Sequence, residues 1–267
     1  MYFAITASLD YQLSAPADLL LALEVAQLAD QRLVSDKLTL WGTGPLTPVA
    51  AEEGVGRRTW ASGAGRITAH YTALVEIDRP VIAMAGLPIS PKHRLPAEVI
   101  GYLWPSRYCD SDRFENFVAR SFGHLTGGDK VLAIAAWIAT HIEYLPGVSD
   151  SRTSASDTYL QRQGVCRDFA HLLIAMVRAA DIPARMVGAY GWRVTPQDFH
   201  AVAEVWLDGA WHLVDASGLA RPEHIIRIGV GRDATDVSFL TIFGHGGLIA
   251  QAVTVESVPA PEPAQGA

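Results

Sequence analysis

Between Gly65 and Asp78 the chain reads GRITAHYTALVEID, in which Ile67, Ala69, Tyr71, Ala73, Val75 and Ile77 alternate with mostly polar partners. A period of two predicts a β-strand with one buried face. Upstream, DLLLALEVAQL is apolar without a clean period. Its Leu, Ala, Glu and Gln also suit a helix, but we read it as a strand. The segment between the two, WGTGPLTPVAAEEGVG, is rich in turn residues. Residues 1–85 are therefore expected to be β-rich.

The period changes after Gly86. GLPISPKHRLP, from Gly86 to Pro96, carries three prolines and reads as a linker. Beyond it, DRFENFVARSFGHL and GGDKVLAIAAWIATHIEY are helical. In the second, Val131, Ile134, Ala135, Ile138 and Ile142 recur at helical spacing, with Asp129 as the expected N-cap. SRTSASDTYLQRQ is a polar lead-in containing a short helix. The next helix runs from Cys166 to Ala180 and stops at Asp181-Ile182-Pro183. From Ala184 the period falls to two again, in ARMVGAYGWRV, HAVAEVWL and AWHLVDAS, the last two joined by Asp208-Gly209. These elements predict an α+β fold with three parts. They are a β-rich N-terminal domain at 1–90, a helix-and-antiparallel-sheet domain at 91–256, and a disordered tail at 257–267.

Composition narrows the classes. The 267 residues are 49% hydrophobic and 18% charged, which suits a packed core. A net charge of −7 with no basic stripe argues against a nucleic-acid or acidic-membrane partner. The start shows no signal-peptide pattern, and the apolar runs are too short to span a bilayer. Two cysteines, Cys109 and Cys166, make a poor disulfide framework, so a reducing, cytoplasmic setting is expected. The histidines show no metal-ligand spacing, and neither a metal nor another cofactor is expected. GVGRDA, from Gly229, lacks the helix and acidic partner of a dinucleotide site. The GHGG at Gly244 has no accompanying G-x-S-x-G.

The chemistry concentrates at QRQGVCRDFAHLLIAMVRAADIPAR. A cysteine heading an apolar helix is most often a small core residue. Cys166 nevertheless sits where unpaired backbone N–H groups and the helix dipole favour a thiolate, and the same N–H groups suit an oxyanion. Gly164 leaves room for a tight turn and for a substrate. Asp168, in the first turn, complements the dipole. A thiol nucleophile needs a base, and the base needs an orienting partner. A two-residue loop at Asp208-Gly209 pairs Leu207 with Ala210 and Trp206 with Trp211. His200 and Asp215 then lie on one face as diagonal neighbours, within side-chain reach. A slip of one residue would put Asp215 on the other face.

QGVCRDFAHLLIAMVRAADIPAR, FHAVAEVWL and WHLVDAS resemble the three catalytic blocks of the transglutaminase-like superfamily, nearest to its bacterial cysteine peptidases. The resemblance spans roughly Pro96 to Ser217. The sequence departs from the pattern at Val202-Ala203, where a Trp-Val pair is common. The resemblance implies a papain-related α+β core and acyl transfer through a thioester, with Cys166, His200 and Asp215 as the catalytic residues. The substrate would be a peptide or protein amide. Water as acceptor makes a peptidase or amidase; an amine makes a transglutaminase; a binding protein that keeps the fold without chemistry is a further alternative. Gln161, Gln163 and Trp137 are candidates for a second oxyanion donor.

Overall fold

A computed structural model describes residues 1–261. The chain opens with five strands, β1 (Tyr2–Leu13), β2 (Ala17–Leu21), β3 (Gln31–Thr43), β4 (Thr47–Ala50) and β5 (Arg57–Ile77). β5 is the spine of a curled antiparallel sheet and pairs with each of the other four. The alternation in the sequence sets its faces. Ile67, Ala69, Tyr71, Ala73, Val75 and Ile77 are buried, and His70 between them is exposed. The apolar run after Asp18 is a strand only as far as Leu21. Residues 22–26 continue as buried chain without regular structure, because their backbone groups find long-range partners. The Ala22 N–H donates to the Phe239 carbonyl, the Val25 N–H to the Tyr71 hydroxyl, and the Ala26 N–H to the Arg227 carbonyl.

The middle of the chain holds α1 (Ala97–Ile100), α2 (Glu115–Phe122), α3 (Gly127–His141), β6 (Glu143–Tyr144), α4 (Ala155–Gln161), β7 (Gln163–Gly164) and α5 (Cys166–Arg178). Thr126, not Asp129, occupies the N-cap of α3. Asp129 sits one turn inside, and its carboxylate accepts the Gly86 N–H at 3.2 Å. The proline-rich segment is correspondingly no free linker. The Leu87 carbonyl accepts the Gly128 N–H (2.9 Å), the Pro88 carbonyl accepts the Asp208 N–H (3.1 Å), and Ser90 Oγ accepts the Gly209 N–H (3.0 Å). It straps the start of α3 to a hairpin in the sheet that follows.

That second sheet is β8 (Ala184–Gly191), β9 (Phe199–Leu207), β10 (Ala210–Val214) and β11 (Ile225–Gly231), antiparallel in the order β10-β9-β8-β11. One face carries α5, whose side chains pack on Ala201, Ala203, Val205 and Leu207 of β9. Leu172, Leu173 and Ile174 are fully enclosed there, each contributing about 1.5–3 kcal/mol by burial. Tyr190, Phe199, Ile226 and Ile228 instead join the core of the first sheet. The order of layers is helices, four-stranded sheet, curled sheet.

The last two strands, β12 (Leu240–Phe243) and β13 (Gly246–Val258), do not stay with the second sheet. β12 pairs with β2, and β13 pairs with β1 from Leu13↔Gly246 to Tyr2↔Val258. The linear division at 90 and 256 is thus corrected. The β-rich unit is built from both ends of the sequence, because the open edge of β1 takes a partner that only the far end supplies. The expected tail is also shortened, since Ser257 and Val258 close β13; residues 262–267 lie outside the described residues. No helix among the described residues is long and apolar enough to cross a membrane.

Between the sheets lies a knot of charge. Glu204 of β9 is fully buried. One of its oxygens accepts Arg185 Nε (2.8 Å) and the other accepts Arg227 Nη1 (2.9 Å). Arg185 also bonds Glu53 (2.5 Å), Arg227 bonds Asp30, and Arg79 bonds Asp30 (2.5 Å). Removing one partner of such a cluster leaves the others charged and dry. Glu204→Ala is therefore expected to cost about 3–5 kcal/mol of stability, read as a large drop in the urea unfolding midpoint.

Candidate active site

Cys166 is the first residue of α5, with Val165 at the N-cap. The helix starts there because Asp168, fully buried, turns its carboxylate back to accept the Val165 N–H at 2.8 Å. A methyl group on residue 164 would meet the Asp168 Cβ at 2.7 Å. The space that Gly164 leaves is thus filled by Asp168 and not by substrate. The thiol is half-buried and opens onto a cleft of about 510 Å³.

His200 reaches the same cleft from the start of β9, where it pairs with Ala189 of β8. The hairpin has the predicted register: Leu207↔Ala210, Trp206↔Trp211, and so on to Ala203↔Val214. Asp208 and Gly209 both take positive φ, 50° and 78°, as a tight two-residue loop requires. Asp215 follows directly on β10, and its Oδ2 accepts His200 Nε2–H at 2.8 Å. The same oxygen accepts the Ala220 N–H (2.9 Å), and Oδ1 accepts the Ser217 N–H (2.9 Å) and hydroxyl (2.5 Å). Four donors fix this carboxylate, and it fixes the imidazole. His200 Nδ1 is buried and makes no hydrogen bond, so the free nitrogen of the ring is the one left for the thiol.

The electrostatics follow from this pinning. Burial by itself would depress the His200 pKa. The Asp215 hydrogen bond and the neighbouring Cys166 outweigh it and raise the value to about 10. Burial likewise opposes ionisation of Asp215, yet the bonds from His200, Ser217 and Ala220 hold its pKa below the usual carboxylate value. The histidine of α5, His171, is different. Burial drives its pKa down to about 3, and its Nε2 accepts the Ala234 N–H at 3.1 Å while the ring stacks on Tyr108. It is a neutral structural group. Cys109 is fully buried, and burial pushes its thiol up to about 12.

Gln161, Gln163 and Trp137 do not line the cleft; Trp137 stacks on Tyr159 and His141 in a separate aromatic cluster. The residue that sequence reading missed is Tyr144. The pairing of β6 with β7 sets Tyr144 opposite Gly164, and the Leu145 N–H donates to the Gly164 carbonyl at 2.9 Å. Its ring packs on Phe169, and it lines the cleft together with Cys166. Burial, then the charge of Cys166, push this phenol up to about 12. The only signal in the sequence was its place at the end of the HIEY run, two residues beyond the last apolar position of the helical pattern.

The profile of the transglutaminase-like superfamily matches residues 116–216, a span that contains Cys166, His200 and Asp215. The crystal structure of a candidate cysteine protease from Cytophaga hutchinsonii superposes with a TM-score of 0.93 at 32% identity, over 98% of this chain and 92% of that one. The chain belongs to the transglutaminase-like superfamily. An uncharacterised Mycobacterium leprae protein, ML0607, is 35% identical to this transglutaminase-like chain over 117 residues, covering 40% of this chain and 42% of that protein. The chain thus matches less than half the length of that curated relative. The periplasmic domain of TgpA from Pseudomonas aeruginosa is 14% identical, with a TM-score of 0.42 over 82% of this chain and 91% of that one; so weak a likeness carries no argument.

The raised His200 pKa has a consequence for stability. Its folded value of about 10 lies above the value of about 6.5 in an unfolded chain. The stabilisation it brings is complete below about pH 6.5, declines above that, and is lost as pH rises through about 10. The stability advantage of wild type over His200→Gln should shrink steadily from pH 6.5 to 10 in urea titrations.

Proposed function

We propose that this transglutaminase-like protein is a cysteine peptidase or amidase that opens amide bonds through Cys166, His200 and Asp215. The observation that carries the reading is the imidazole itself. Asp215 holds one nitrogen, the other is free in a cleft that also receives Cys166, and the thiol heads a helix. His200 and Cys166 stand as an imidazolium–thiolate pair, with the thiol proton held at Nδ1 and the ring's charge stabilised by Asp215. The thiolate attacks the carbonyl carbon and forms a tetrahedral oxyanion. We assign the oxyanion hole to the Cys166 N–H at the head of α5 and to the hydroxyl of Tyr144, which lines the same cleft. His200 then gives its proton to the departing amine. A thioester remains, and water, deprotonated by the same imidazole, resolves it.

We read the substrate as a peptide or protein amide and the setting as the cytoplasm, where thiols such as Cys109 and Cys166 are kept reduced. An amine in place of water would give transglutaminase-type transfer at the same residues. Mass spectrometry of peptide libraries incubated with the enzyme, with and without an added amine, separates these outcomes, because cleavage, deamidation and crosslinking change mass differently. A library left unchanged in every condition would sink the reading.

Cys166→Ala should abolish turnover with little change in stability. Asp215→Asn should damage kcat severely but less completely, since its role is to orient and charge-stabilise the ring. Tyr144→Phe should lower kcat by about 100-fold, the cost of removing one oxyanion donor, with KM nearly unchanged. Steady-state kinetics on one cleaved peptide decide all three.

A further inference from the structure

The cleft also holds residues that the proposed chemistry does not use. It is walled mostly by apolar side chains, among them Met186 and Phe199 from the second sheet, Val194 from the loop between β8 and β9, and Val237 and Phe239 from the chain leading into β12. Phe199 and Phe239 stack at 4.1 Å and join the two walls. Apart from His200, the charged residues lining it are Arg167 and Asp198. The Arg167 guanidinium is already engaged: Nη2 donates to the Asp150 carbonyl (2.8 Å) and to Ser149 Oγ (3.3 Å), and lies 3.6 Å from Asp168.

Asp198 is different. Its Oδ1 accepts the Phe199 N–H (2.8 Å) and Gln251 Nε2 (2.7 Å). These two bonds orient the carboxylate at the rim, two residues before His200. Gln251 belongs to β13, so the curled sheet reaches across to set a side chain of the catalytic cleft. The second oxygen of Asp198 has no hydrogen-bond partner among the described residues. The influence of Asp198 crosses the cleft: after burial and Cys166, its charge also acts on the Tyr144 phenol.

We infer that Asp198 is a specificity-determining residue that recognises an ammonium group carried on an aliphatic stem, the stem lying along the apolar wall and the cation meeting the free carboxylate oxygen. The inference rests on the thiol-enzyme reading for its biological sense. Two sources share this chemistry: a lysine-like side chain of the amide substrate, or the far end of a diamine acceptor. A carboxylate that is held by two donors and shares its cleft with an apolar wall suits such a group, whereas a neutral donor gains less from it and an anionic group is repelled.

The first test does not need turnover. Cys166 is modified with a cationic trimethylammonium-ethyl methanethiosulfonate and with the neutral methyl reagent, and intact mass with peptide mapping gives both rates. The cationic-to-neutral rate ratio should fall about fivefold in Asp198→Asn. Asp112→Asn, an exposed aspartate outside the cleft, changes the net charge equally and should barely move the ratio. Equal shifts in the two variants, or none, would overturn the inference. The second test compares kcat/KM for peptides with lysine or norleucine beside the scissile amide, and for 1,4-diaminobutane against 4-aminobutanol as acceptor. A preference for the cation that collapses in Asp198→Asn supports the inference, and the arm that shows it identifies the source. A preference that survives Asp198→Asn overturns it. If wild type turns over neither pair, the enzymatic reading fails, and the thiol-modification ratio still decides the role of Asp198.

Discussion

The close packing of α5 on β9 sets where the Cys166 thiol and the His200 imidazole can be. The helix rests on Ala201, Ala203, Val205 and Leu207. Two of these four are alanines, which let the helix axis come near the sheet. The helix begins at Cys166 and the strand carries His200 near its start, so this contact brings thiol and imidazole to one cleft from residues 34 positions apart. A bulkier residue at Ala201 or Ala203 would lift the head of the helix away from the ring, since a close-packed interior transmits such changes.

The site is arranged so that each polar group has a defined task and few alternatives. Asp215 spends both oxygens on four donors, which leaves it no freedom to rotate from His200. Asp168 spends one oxygen on the Val165 N–H and so fixes the point at which α5 starts. Neither carboxylate lines the cleft, yet both determine where Cys166 and His200 are held. On the far side of the sheet, Glu204 gathers two arginines and ties β9 to loops of the curled sheet. The strand that bears His200 is therefore held from both faces.

What could be read from the sequence was local. The alternation from Ile67 to Ile77 has one strong period and one buried face, and the strand follows it. Asp208-Gly209 specifies a loop length, and loop length specifies register, so the proximity of His200 and Asp215 was legible residue by residue. The transglutaminase-like family was legible in three short blocks for the same reason. Pairings between distant segments were not. Nothing within Gly246–Val258 names β1 as its partner, because the pattern of a strand encodes which face is buried and not which edge it joins. Tyr144 was missed because its position depends on the short parallel pairing of β6 with β7, only two residues on each side. Asp129 was read as a cap from its residue type, whereas the bend of the chain at Thr126 placed the cap three residues earlier.

The pairing of β1 with β13 has a bearing on how the chain is made. During synthesis the first strand leaves the ribosome early, and its long edge partner follows only after more than two hundred further residues. Throughout that interval one edge of β1 offers unpaired N–H and C=O groups, the kind of surface on which chains associate wrongly. The helices and the second sheet, whose contacts are closer in sequence, have the shorter loops to close. Maturation of the protein is thus expected to be gated by its final strand, which brings Gln251 to Asp198 at the same moment that it covers the exposed edge.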